Sequence, residues 1–69
     1  MRAEVNVSVR LLERALDACL IAIVELELSE EREFVDRSYV EVLARERKFA
    51  QEVRDELIES LRVVRQIAT

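Results

Sequence analysis

Apolar and polar residues alternate at the start of the chain, where Ala3, Val5, Val7 and Val9 interleave with Arg2, Glu4, Asn6 and Ser8. A period of two carried by β-branched side chains predicts a half-buried strand. From Arg10 the spacing lengthens: Leu12, Leu16, Cys19 and Leu20 share one stripe while Arg10, Glu13, Arg14 and Asp17 are polar. That spacing predicts an amphipathic helix from Arg10 to Leu20. In the next stretch Ile21 and Ile23 alternate with Ala22 and Val24, then Leu26 and Leu28 with Glu25 and Glu27. This suits a second strand, covered on both faces in its first half. A continued helix would set Glu25 and Glu27 at its C-terminus, where the dipole disfavours negative charge. Ser29 to Arg32 is polar enough to turn the chain, and Val40, Val42 and Ala44 then alternate with Glu41, Leu43 and Arg45 as a third strand. From Lys48 onward Ala50, Val53, Leu57, Leu61, Val64 and Ala68 recur every three or four residues, with Glu52, Asp55 and Glu56 early and Arg62 and Arg65 late. These signals predict a closing helix of about twenty residues.

The preferred architecture is therefore α+β: a three-stranded antiparallel sheet with two helices on one face, in the order β-α-β-β-α, as a single domain over residues 1–69. An all-α helical hairpin, dimerising into a four-helix bundle, is the rival. Val35, Tyr39, Val42, Phe49 and Val53 fall near one helical stripe, Glu33 with Arg37 and Glu41 with Arg45 form i,i+4 pairs, and Ser29 followed by acidic residues suits a helix start. The chain contains no glycine, which a tight β-hairpin turn wants, and this favours the rival.

Composition narrows the chemistry. There is no glycine, proline, histidine or tryptophan, and Cys19 is the only cysteine. A phosphate-cradling loop, a Cys/His zinc site and an imidazole base are all excluded by residue type. No enzyme activity, cofactor, metal or small-molecule substrate is expected. The net charge of -4 and a pI near 4.8 argue against nonspecific nucleic-acid binding. The longest apolar run, Ala18 to Val24, is too short to span a bilayer, and no basic region followed by a cleavable apolar stretch opens the chain, so a cytoplasmic protein is expected. Abundant Glu, Arg and Val beside a single Asn resembles a thermophile's composition. A chain of 8.1 kDa is marginal alone, so a protein subunit, identical or different, is the expected source of further buried area.

Cys19, between Ala18 and Leu20, is read as a buried structural thiol, since no histidine or flanking cation activates it. Glu30, Glu31 and Glu33 are read as a solvated turn or helix start, not an acid-base pair. Arg45, Arg47 and Lys48, with Arg54, Arg62 and Arg65, form the one candidate polyanion contact; the favoured reading is a solvated face neutralised by Glu46, Glu52 and Glu59. Three aromatics, Phe34, Tyr39 and Phe49, are too few for a stacking platform. A strand followed by a helix also resembles ribbon-helix-helix repressors, with Asn6 and Ser8 as the base-reading residues; Glu4 on the same face and the acidic charge oppose this minor alternative.

Three segments, "AEVNVSV" (Ala3 to Val9), "VEVLARE" (Val40 to Glu46) and "VRDELIESLRVVR" (Val53 to Arg65), resemble the first strand, third strand and last helix of the small Pcc-type subunit of the KEOPS complex, which makes threonylcarbamoyl-adenosine in tRNA. Val53-Arg54 and Leu61-Arg62 match two Leu-Arg pairs of the family's helix in spacing, while Ile58-Glu59 stands where the family has Asn-Ser. The resemblance, to a divergent paralogue, implies a non-catalytic accessory subunit that dimerises, binds other protein subunits and associates with tRNA only indirectly. Its partner-binding residues would be Arg54, Ile58, Arg62 and Arg65. Leu11, Ile58, Val63 and Ile67 lie off the main helical stripes and are available to a partner helix.

Overall fold

The computed structural model describes residues 2–32 and 36–68. It consists of two antiparallel helices, α1 (Arg2–Glu30) and α2 (Arg37–Ala68). Among the described residues there is no strand, so the three-stranded sheet is corrected to a helical hairpin.

The reason lies in which periodicity the chain can satisfy throughout. In α1 the positions facing α2 are Val9, Leu12, Leu16, Cys19, Ile23, Leu26 and Glu30, each buried or half-buried. Their spacing alternates between three and four, the repeat that keeps one seam of a helix against its neighbour. Val9, expected in the first strand, and Ile23 and Leu26, expected in the second, belong to this seam. The valines that suggested strands cost only tenths of a kcal/mol each in a helix. With neither glycine nor proline in the sequence, no residue interrupts a helix or sets a tight hairpin turn.

α1 runs past Glu25 and Glu27 although its last turn holds no basic residue, and its final glutamate is paired with α2. Glu30 ends α1 and accepts a hydrogen bond from Arg47 Nε of α2 at 2.8 Å, with only 16% of the glutamate side chain and 27% of the arginine exposed. The helix closes through bonds from the Glu31 N–H to the Leu28 carbonyl, 3.3 Å, and from the Arg32 N–H to the Ser29 carbonyl, 3.4 Å. α1 thus runs through Ser29 and Glu30 and gives way to a turn at Glu31, so Ser29 sits inside α1 instead of starting a helix. Asp36 caps α2: its carbonyl accepts from the Val40 N–H at 3.0 Å and its carboxylate from the Ser38 hydroxyl at 3.0 Å. An acidic cap suits the positive end of the helix dipole. The expected Glu33–Arg37 pair and the placing of Val35 and Phe34 lie outside the described residues.

The seam of α2 runs through Val40, Leu43, Arg47, Ala50, Arg54, Leu57, Leu61 and Val64, again at alternating threes and fours. The third expected strand, Val40 to Ala44, is thus the first two turns of this helix. The core is thin: Ile23, Leu43 and Leu61 are the buried hydrophobic residues among those described, at 5%, 7% and 3% exposure. Ala50 is the small residue at which the helices approach, and the Cys19 thiol donates to its carbonyl at 3.0 Å. Cys19, expected to be buried, is a half-buried thiol on the seam.

Candidate protein-interaction surface

The seam divides the hairpin into two sides that differ sharply in chemistry. Residues one position after a seam residue share one side, because Glu13, which follows Leu12, bonds Arg65, which follows Val64, at 3.0 Å across the helices. Residues one position before a seam residue must share the opposite side. On the first side ten of fifteen residues between Arg10 and Arg65 are charged; on the second, between Ser8 and Ile67, three of sixteen are charged, all glutamate. The second side is therefore the apolar one.

Its large residues are open to solvent. Tyr39, Val42, Phe49, Val63 and Ile67 of α2 are 56%, 45%, 64%, 46% and 68% exposed, and Leu11 of α1 is 63% exposed. Beside them α1 presents small side chains, Ala15, Ala18 and Ala22. The stripe through Tyr39, Val42, Phe49 and Val53 that suggested a helix in the sequence is real, but it does not face α1: Val53 alone is half-buried and the other three point outward. A second apolar area, around Ile21, Val24 and Leu28, lies on the outward surface of α1 and reaches onto the edge of the charged side at Val24.

Of the four residues expected to bind a partner, Ile58, Arg62 and Arg65 share the charged side, whereas Arg54 lies on the seam. Arg54 lies half-buried on the seam and bonds Asp55 at 3.0 Å. Arg62 is exposed and bonds Glu59 one turn earlier at 2.7 Å. Ile58, 49% exposed, and Arg65 sit on the charged side, where they line an open depression with Glu13, Leu16, Asp17 and Leu61. Three of the four are thus arginines already engaged with carboxylates of the same chain. With Arg47 paired to Glu30, four of the six cations of the candidate polyanion contact are neutralised internally. Leu11, Val63 and Ile67, expected to be free for a partner helix, are exposed on the apolar side; Tyr39, Val42 and Phe49, read only as part of a helical stripe, join them there.

Another shallow depression, lined by Val7, Arg10, Leu11, Glu13, Arg14 and Asp17, is open to solvent. Among the described residues no group of three metal-ligating side chains comes together, and no helix is long and apolar enough to cross a membrane. Asn6 and Ser8 are exposed on α1, so the strand that a ribbon-helix-helix reading requires is a helix instead. Two of the three segments resembling the KEOPS subunit, Ala3 to Val9 and Val40 to Glu46, are likewise helical where that family has strands. No protein-family model matches the chain, and no curated protein or solved structure is significantly similar to it.

Proposed function

We propose that the chain is a non-enzymatic, cytoplasmic assembly module: a helical hairpin that self-associates side by side into a four-helix bundle. One observation carries this reading, the mismatch between what the hairpin buries and what it leaves open. Three large hydrophobic residues are buried and twelve are exposed among those described. The hairpin exposes 5771 Å², about 1,300 Å² more than a compact monomer of its mass would. Its radius of gyration is 15.7 Å, against about 11 Å for a compact domain of this length. A standard interface removes about 800 Å² from each partner, so one added copy accounts for most of the excess.

The test is the dependence of unfolding on protein concentration. If folding and association are coupled, the melting temperature rises as the protein is concentrated, by mass action. A melting temperature that stays constant over a hundredfold range, together with a monomeric mass, would reject the reading.

A second reading is favoured by the apolar area at Ile21, Val24 and Leu28. These residues are 59%, 53% and 59% exposed, and a bundle closed through the other apolar side leaves them open. In this reading they contact a different protein subunit, as an accessory subunit would require. Charge substitution at Leu28, followed by a binding assay against proteins that co-purify from the native host, tests it; unchanged binding rejects this surface.

A further inference from the structure

We infer that the second copy docks on the side holding Leu11, Tyr39, Val42, Phe49, Val63 and Ile67, with the two turns at opposite ends of the bundle. The inference rests on the self-association reading and adds the surface and the orientation.

The surface follows from area and charge. An outward ridge on α1 alone offers one helix to a partner, whereas the apolar side presents both helices along a body 51 Å long and 14 Å wide. The opposite side carries the Glu13–Arg65 ion pair and ten charged residues, and closing a bundle there would strip water from each of them.

The orientation follows from where the three glutamates lie. Glu25 and Glu46 are at the turn end, Glu56 is near the middle, and the far end, with Ser8, Leu11, Ser60 and Val63, is uncharged on this side. A two-fold axis parallel to the helices would stack α1 of each copy on α2 of the other at equal height. Glu25 and Glu46 of both copies would then meet, four carboxylates with no cation on the side. A two-fold axis across the helices places this acidic end over the uncharged end of the other copy. It also sets α1 on its twin, where Ala15, Ala18 and Ala22 allow close approach, and sets Tyr39 and Val42 opposite Val63 and Ile67. Isologous interfaces of this kind match each patch to a second patch on the same chain.

Sedimentation velocity on Phe49→Glu and Ile21→Glu, both at exposed helical positions, tests the surface. Phe49→Glu is expected to raise the dimer dissociation constant about thirtyfold or more, as the loss of an aromatic anchor does, and Ile21→Glu to leave it unchanged. A dimeric Phe49→Glu or a dissociated Ile21→Glu overturns the surface assignment. Orientation is read in the full chain carrying Cys19→Ala and a spin label on Arg32→Cys, beyond the end of α1 and outside the interface. Turns at opposite ends give a label separation of about 40 Å, the length of a helix; a separation under about 20 Å, two helix diameters, overturns it. The label experiment leaves the surface untouched, so it decides even where Phe49→Glu fails to fold. A monomeric wild-type chain would instead reject the self-association reading, leaving the apolar side to a different partner.

Discussion

Replacing the Glu30–Arg47 pair probes the place where an ion pair joins the two helices across the seam. Both residues occupy seam positions, most of which hold Leu, Ile or Val, yet they are joined at 2.8 Å with most of each side chain covered. Exposed pairs contribute about 0–1 kcal/mol, and breaking a fully buried one costs about 3–5 kcal/mol. At 16% and 27% exposure this pair lies between, with a coupling of about 1–2 kcal/mol. Glu30→Leu or Arg47→Leu alone leaves a half-covered charge without its partner and destabilises the hairpin by that order. The double replacement makes the turn end of the seam apolar; since burying a leucine contributes about 1.5–3 kcal/mol, it should equal or exceed the wild type in stability. Urea unfolding followed by circular dichroism, at one protein concentration for all four chains, closes the cycle. A coupling below about 0.5 kcal/mol, the range of surface pairs, would refute the claim that this contact fixes the pairing of the two helices.

Three further outcomes follow. Leu61→Ala, at a position only 3% exposed, should cost about 2–5 kcal/mol, enough to unfold much of the population in thermal melts; a loss under about 1 kcal/mol would show that this position is not core. Asp36→Ala removes the carboxylate that accepts from Ser38 at the positive end of the α2 dipole and should cost about 0.5–1 kcal/mol in urea unfolding; no change would mean the Asp36 carboxylate does not hold the helix start. Glu13→Gln should alter stability by no more than about 0.5 kcal/mol, because the ion pair with Arg65 is exposed and screened; a much larger loss would show that the charged side is covered by something.

The closing helix was legible because its apolar residues, Ala50 to Ala68, keep helical spacing and its charges match the dipole. The first helix was half legible. Val5, Val7 and Val9 fit a strand as well as a helix, since every second residue is apolar whichever period is chosen. Ile21 to Val24 is apolar throughout and has no period at all. Two signals pointed correctly to the hairpin: the absence of glycine and the stripe from Tyr39 to Val53. The stripe alone does not say which side faces α1, because α2 carries two adjacent apolar stripes. Contacts distant in sequence, Cys19 with Ala50 and Glu30 with Arg47, make that choice. The interaction surface was partly legible through Leu11, Val63 and Ile67, whereas Arg54, Arg62 and Arg65 were chosen as binding residues without their intrachain carboxylates in view.

The central claim is that one hairpin leaves a side which a second copy covers. Sedimentation equilibrium of the unmodified chain tests it most directly. The account predicts a mass of about 16 kDa, two copies of the 8.1 kDa chain in a closed two-fold assembly, at micromolar concentration. A mass of 8.1 kDa that persists to about millimolar concentration, where even weak complexes form, would contradict it.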